Sequence, residues 1–434
     1  MDNSCLSKQR RFQDPTDERS ALKRAVHKRL VNDLEYPPMQ NIPGQISAEF
    51  REMVAHKIEE VLGAFVHPWN EAPETAVLAR EIYNEALALG PLEDLLQDPA
   101  VTQIFVFGPD KIMIERAGVT SPGTVFFSGF EQLHSAIFRI ASAQSVRLDE
   151  CRPFAHIVYP DGTEFVATVP VLPGSSYFLR VKKTPNHKKS LDELVQSGCL
   201  SKNMAIFLRL CLRSRRSLLI SGPAQSGKTT LLNALAMELP GDERICVLEE
   251  SSSLKLSHPY VTKLSTRAPN IEGLNALKMS HLIRHASRIL PNRIIIDSID
   301  DDAVMDLLEL KASSSAILFA MNAASPRDAL SKMELLIANA APNVAPGWPQ
   351  ATVATYNSFI VQLSRAMDGS LKVSHISEVT GMQGDTTCIQ DIYSYREANP
   401  DSPSAGAHRA TGYIPRAKEA FKQMGLQCPS DLFS

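Results

Sequence analysis

Ser217-Leu-Leu-Ile-Ser-Gly-Pro-Ala-Gln-Ser-Gly-Lys-Thr-Thr-Leu-Leu-Asn-Ala-Leu235 decides the reading of this chain. An apolar run, Leu218 to Ile220, ends in Gly222-Pro-Ala-Gln-Ser-Gly-Lys228-Thr229, and a helix-forming segment, Leu231 to Leu239, follows at once. This is G-x-x-x-x-G-K-[ST] between a strand and a helix, the context that gives the pattern its meaning. Gly222 and Gly227 let backbone N–H groups of the loop, through Gln225, Ser226 and Thr230, converge on phosphate oxygens. The helix N-terminus adds partial positive charge there. Lys228 reaches the β- and γ-phosphates, and Thr229 offers its hydroxyl to Mg²⁺. A glycine turn that merely carries a lysine would have to reproduce the whole motif and both flanks by accident. The chain is therefore expected to bind a nucleoside triphosphate.

With 434 residues, 44% hydrophobic and 21% charged, there is room for two or three ordinary globular domains. A formal net charge of −3 gives no global attraction to nucleic acid or anionic lipid. Positive charge is local: the first thirty residues are Lys/Arg-rich, and Lys182-Lys183 with His187-Lys188-Lys189 make a short basic stretch. The 7 cysteines are scattered and odd in number, with no C-x-x-C pair, which argues against a disulfide framework or zinc site and for a reducing compartment. The N-terminus lacks the apolar core of a signal peptide, and no window is a long uninterrupted apolar run. The expectation is a cytoplasmic protein able to dock peripherally on a membrane complex, with no nucleic-acid partner.

Outward from the loop, the chain falls into segments. Residues 1–45 are polar, basic and broken by prolines, read as a flexible arm with one helix around Glu18–Leu34. Residues 46–89 turn helical, with Phe50, Val54, Ile58, Val61 and Leu62 on one face. Residues 90–183 then switch to period two. Hairpins turn at Gly108-Pro-Asp110 and Pro160-Asp-Gly162, and a further strand runs from Tyr177 to Lys182, so this part reads as an α+β domain. A linker at 184–190 ends at Ser190, a candidate helix cap, and Asn203–Arg213 is expected to be helical. Across 191–395 five apolar runs alternate with helices: Leu218–Ile220, Ile245–Leu248, Ile294–Ile296, Ala316–Met321 and Phe359–Leu363. Such alternation predicts a mostly parallel sheet flanked by helices, with phosphate loops at the carboxyl ends of its strands. Residues 396–434 read as a tail with a short amphipathic helix between Pro415 and Gly425.

These residues resemble the secretion and traffic ATPases of type II/IV systems, most nearly the CpaF type that powers tight-adherence (Tad/Flp) pili. The carriers run from Gly90-Pro-Leu-Glu through Val146-Arg-Leu-Asp-Glu150, Tyr159-Pro-Asp-Gly162 and the phosphate loop. They continue in Leu264-Ser-Thr-Arg-Ala-Pro-Asn-Ile-Glu-Gly273, Leu282-Ile-Arg-His-Ala-Ser-Arg288, Ser325-Pro-Arg-Asp-Ala-Leu330, Thr380-Gly-Met-Gln-Gly-Asp385 and Gly425-Leu-Gln-Cys-Pro-Ser-Asp-Leu-Phe433. The resemblance implies an α/β fold: a RecA-like P-loop NTPase domain behind a smaller α+β domain and an N-terminal arm. It also implies ATP with Mg²⁺ held between the two domains, hexameric self-assembly, and docking on the cytoplasmic face of an inner-membrane pilus or secretion platform.

Departures from that pattern gather around catalysis. The acidic box remains acidic as Glu249-Glu250, but Arg293-Ile-Ile-Ile296 is followed by Asp297-Ser298, with Ser298 where the family has its Walker B glutamate. Ala312-Ser-Ser-Ser-Ala316 replaces a histidine-bearing segment, and Asn322 stands at a second histidine position. Val158 and Tyr159 fill the place of an arginine, and Glu164 that of another basic residue. Gln225 takes a loop position that is usually glycine.

Hydrolysis needs the phosphates cradled, the metal held, the water oriented and the developing charge countered. The loop supplies the cradle. Thr229, with Asp297 through a metal-bound water, is the candidate Mg²⁺ set, although Asp297 also reads as a carboxylate that merely starts a helix. Ser298 cannot polarise water as a carboxylate does, and a missing general base costs on the order of 10²–10⁴ in rate; Glu249, Glu250 and Asp297 are the candidates to replace it. Arg147, Arg180 and Arg267 are the candidates to counter charge, against the plain reading of arginines in surface ion pairs. The favoured expectation is nucleotide binding with weak or absent hydrolysis, in a regulatory or structural subunit. A working ATPase, a nucleotide-gated scaffold recruiting partners through its arm, and, more remotely, a small-molecule kinase are the competing readings.

Overall fold

The computed structural model describes residues 15–34, 47–65, 72–116, 118–172, 175–184, 189–250, 254–267, 274–299, 303–312, 316–345, 347–356, 359–366, 368–396 and 406–434. The chain divides into two compact units, Met1–Pro185 and Asn186–Ser434. Both are α with β, each built on its own sheet.

The first unit opens with three helices, α1 (Pro15–Leu34), α2 (Ala48–Ala64) and α3 (Ala72–Leu87). They bury Val26 and Leu30 of α1 against Val54, Ile58, Val61, Leu62, Leu78 and Ile82. The apolar spacing read from the sequence is the buried face of α2, whose N-cap Ser47 accepts the Phe50 N–H at 3.2 Å. α1 starts three residues before the expected Glu18, at Pro15, a residue tolerated in a first helical turn. A buried carboxylate fastens it: Glu85 of α3 takes His27 Nε2 at 3.1 Å, Lys23 Nζ at 3.5 Å and the Ser128 N–H at 3.2 Å. The rest of the expected flexible arm, residues 1–14 and 35–45, lies outside the described residues, as do residue 46 and 185–188 of the linker.

After α4 (Leu92–Gln97) come β1 (Val101–Gly108), β2 (Lys111–Arg116), β3 (Val119–Pro122), α5 (Phe130–Ala143), β4 (Phe154–Val158), β5 (Glu164–Thr168) and β6 (Phe178–Lys182). The strands form one antiparallel sheet in the order β3-β2-β1-β6-β5-β4. Both expected hairpins are present, pairing Gly108 with Lys111 and Val158 with Glu164. β3 was not anticipated; it is an exposed edge strand without apolar alternation.

In the second unit, α6 (Leu191–Gln196) begins with a capping box between Ser190 and Glu193. There follow α7 (Lys202–Arg213), β7 (Leu218–Gly222), α8 (Lys228–Met237), β8 (Ile245–Glu249), β9 (Val261–Ser265), α9 (Met279–Ile289), β10 (Arg293–Ile296), α10 (Val304–Ala312), β11 (Ala316–Asn322), α11 (Pro326–Ala340), α12 (Trp348–Tyr356), β12 (Phe359–Arg365), β13 (Leu371–Gln383), β14 (Thr386–Arg396), β15 (Ala407–Ala410) and α13 (Ala417–Gln423). The sheet order is β15-β14-β13-β12-β7-β11-β10-β8-β9. From β9 to β12 the pairs are parallel; β13, β14 and β15 continue it antiparallel.

All five expected runs are parallel strands. β7 shows why they read as continuous apolar stretches: Leu218 and Ile220 enter the core on one sheet face, and Leu219 enters the core on the other. β9 escaped the reading because it is a half-exposed, polar edge. The stretch read as a tail carries more than a short helix. Phe421, Leu432 and Phe433 belong to the main core, and Tyr393 donates its hydroxyl to Leu432 O at 2.6 Å.

Candidate nucleotide-binding site

β7 delivers the loop at its carboxyl end, and α8 leaves it. A Cβ on Gly222 would overlap Ser226 Oγ and sit 2.8 Å from Leu363 O, so only glycine fits. Gly227, with φ 90°, caps α8 in a left-handed conformation open to glycine at little cost. Gln225 adopts φ 62°, also left-handed. That explains why glycine is usual there and makes its replacement a source of strain, about 1–2 kcal/mol. Lys228 Nζ donates to Gly222 O at 3.0 Å and Pro223 O at 2.7 Å, folding back over the loop. Thr229 and Thr230, half-buried, lie in the first turn of α8.

Phosphate fits this cradle. Ser226 is 2% exposed, and its Oγ has no partner among the described residues, a buried donor left for an anion. Beneath the loop, Ser221 Oγ donates to Gln362 Oε1 at 2.5 Å, while Gln362 Nε2 donates to Ala323 O at 3.2 Å. This buried network fixes the ends of β7, β11 and β12 together. Gln362 was missed from the sequence, though a lone amide inside an apolar run was its signal.

The other candidates are ordered by the sheet. β11 neighbours β7, and Asn322 is in register with Gly222, so Asn322 stands beside the loop. β10 lies two strands from β7, about 10 Å at ordinary strand spacing, and Asp297 follows it. The Asp297 carboxylate accepts the Glu250 N–H at 3.2 Å on each oxygen and the Ser298 hydroxyl at 3.2 Å. Burial, with Glu249 and Glu250 nearby, pushes it up to about 7. Ser298 therefore serves its neighbouring aspartate. Glu249, at the end of β8 one strand further out, is 1% exposed and accepts the Leu254 N–H at 3.0 Å; its carboxyl is held above the usual range by burial. Glu250 is exposed. Residues 300–302 and Ser313–Ser315 lie outside the described residues.

Each of the three candidate arginines has a partner within its own unit. Arg267 follows β9, four strands from β7, and its guanidinium donates to Asn275 O at 3.0 and 3.2 Å. Arg147 and Arg180 belong to the first unit. Arg147 pairs with Asp149 two residues on, and Arg180 pairs at 3.5 Å with Glu164, which also holds Lys182 at 3.2 Å. A carboxylate thus offsets Arg180 at the position where the resemblance leads one to expect a base. Among the described residues no cluster of His, Cys, Asp and Glu forms a metal site, and no helix is long and apolar enough to cross a membrane.

The profile of the family described as type II/IV secretion system protein matches residues 85–388. A putative conjugal transfer protein of Mycobacterium tuberculosis is 26% identical over 348 residues, covering 76% of this chain and 96% of that protein. Protein VirB11 of Agrobacterium fabrum is 22% identical over 282 residues, 59% of this chain and 81% of its own. Among solved structures, the VirB11 ATPase of the Brucella suis type IV secretion system, in complex with sulphate, aligns at 21% identity with a TM-score of 0.35, over 66% of this chain and 92% of that one.

Proposed function

The chain belongs to the type II/IV secretion system protein family, and from that premise we propose that it is an ATP-binding subunit of a secretion or pilus machine that hydrolyses its nucleotide weakly or not at all. The observation that carries this reading is the contrast within one site. The loop is complete, whereas the side chain after Asp297 is a serine that donates its hydroxyl to that aspartate at 3.2 Å. A serine so engaged does not orient water, and Asn322 beside the loop stands where the resemblance places a histidine. Arg147 and Arg180, candidates to counter developing charge, are paired with Asp149 and Glu164 here.

In this reading Gly222, Gln225, Ser226, Gly227, Lys228 and Thr230 hold the triphosphate. Thr229 and Asp297 would hold Mg²⁺, which would supply neutralisation of phosphate charge when bound. The subunit assembles with copies of itself or a catalytic paralogue into a hexameric ring of the CpaF kind. That ring sits at the cytoplasmic face of an inner-membrane platform, where the chain regulates or braces it.

Purified protein titrated with ATP and assayed for phosphate release tests the proposal. Saturable binding that Lys228→Ala weakens about 10- to 100-fold, with release at background, is the expected result. Turnover well above background that Lys228→Ala abolishes would overturn it. It would favour the second reading, a working ATPase in which exposed Glu250, its N–H already on Asp297, supplies the base.

A further inference from the structure

The turn between β12 and β13 reaches the phosphate loop by two contacts. Arg365, the last residue of β12, donates to Gly369 O at 2.9 Å and to Gln225 O at 3.4 Å. Leu371, the first residue of β13, packs on Gly227, where a Cβ would come within 2.9 Å of its Cδ1. The described residues of the turn are hydrogen-bonded to one another. Ala366 N–H donates to Ser370 O at 2.8 Å, Gly369 N–H donates to Ala366 O at 2.9 Å, and the Asp368 carboxylate takes the Ser370 N–H at 2.8 Å and its hydroxyl at 2.6 Å. Asp368 is thereby committed to Ser370. Among the described residues no carboxylate lies within ion-pairing distance of Arg365, whose fork spans two backbone carbonyls instead. One of those carbonyls belongs to Gln225, the non-glycine residue held at φ 62°.

We propose that Arg365 is a positioning residue that holds Gln225 in its left-handed conformation and so keeps the loop amides turned toward the phosphates. Where the family has glycine, the left-handed conformation comes at almost no steric cost. Here a side chain opposes it, and the Arg365 guanidinium offsets the strain by donating to the Gln225 carbonyl at 3.4 Å. The guanidinium reaches the two carbonyls from two different nitrogens of one rigid plane, a separation that a lysine's single nitrogen does not reproduce. The inference rests on the nucleotide-binding reading for its consequence, though not for its geometry.

A double-substitution cycle read by titration with a fluorescent ATP analogue tests it. Arg365→Ala and Arg365→Lys should each weaken binding about 5- to 30-fold, the equivalent of the released strain. In the Gln225→Gly background the same two substitutions should change affinity less than about twofold. Equal losses in both backgrounds would mean that Arg365 touches the nucleotide directly, and would overturn the proposal. So would unchanged affinity in Arg365→Ala, or wild-type affinity in Arg365→Lys. If the wild type binds no nucleotide, the functional reading fails, and amide exchange of the nucleotide-free protein decides the inference separately. Faster deuterium uptake across residues 222–229 in Arg365→Ala supports it, and unchanged uptake overturns it.

Discussion

Asp297 is the residue whose protonation the site governs most. Burial between β8 and β10, beside two glutamates, pushes its carboxyl up to about 7, from an ordinary value of 3.8. The fold therefore favours the protonated acid. Its contribution to stability is fully present below about pH 4 and is lost as pH rises through 7. Asp297→Asn removes that titration, so melting temperatures of the variant should vary less between pH 5 and 8 than those of the wild type. Equal slopes would show that the acid titrates normally. A divalent cation acts in the opposite direction by favouring the carboxylate, so Mg²⁺-dependent stabilisation in the presence of ATP should grow with pH in the wild type and stay flat in Asp297→Asn.

At the scale of elements, the second unit is tied together by an aromatic cluster. Phe207 of α7 lies 5.3 Å from Phe359 of β12, 5.9 Å from Tyr393 of β14, 6.2 Å from Phe421 of α13 and 5.9 Å from Phe433. Offset and edge-on rings at these distances add attraction beyond the area they bury. α13 is a seven-residue helix that would not persist alone, and Phe421 is its anchor in this core. Phe421→Ala should cost about 3–5 kcal/mol in denaturant unfolding of the second unit. A loss below about 1 kcal/mol would mean that α13 docks only loosely. The β13–β14 hairpin belongs at this scale as well. Gln383 pairs with Thr386 around Gly384-Asp385, a two-residue turn with Gly384 at φ 59°, and Gly-Asp is a readable hairpin signal.

The molecule as a whole is two units, each with its own sheet and core. The scaffold reading assigns partner recruitment to residues 1–45, yet those residues include α1, which buries Val26 and Leu30 and is held by Glu85. Removing them all confounds recruitment with folding. Compared with a truncation of residues 1–14, deleting 1–34 should lower melting or cause aggregation, because Val54, Leu78 and Ile82 lose their cover. Equal melting of both truncations would show that α1 contributes nothing to the first unit.

By itself the sequence determined the α/β class, the five inner parallel strands, the hairpins of the first unit and the phosphate loop. Each depends on local chemistry: apolar runs at strand length, glycines where the backbone turns left-handed, and a lysine at fixed spacing. It also marked Ser298 and Asn322 as departures, since position relative to a strand end is a local property. Only the tertiary structure decided which side chains the catalytic candidates already serve. Glu249 is spent on Leu254, Arg267 on Asn275 and Arg180 on Glu164, and no spacing rule reveals a partner across a sheet or a loop. Gln362 and Arg365 come to the phosphate loop for the same reason. β12 pairs with β7 although some 140 residues separate them, and long-range pairing is what local pattern does not encode.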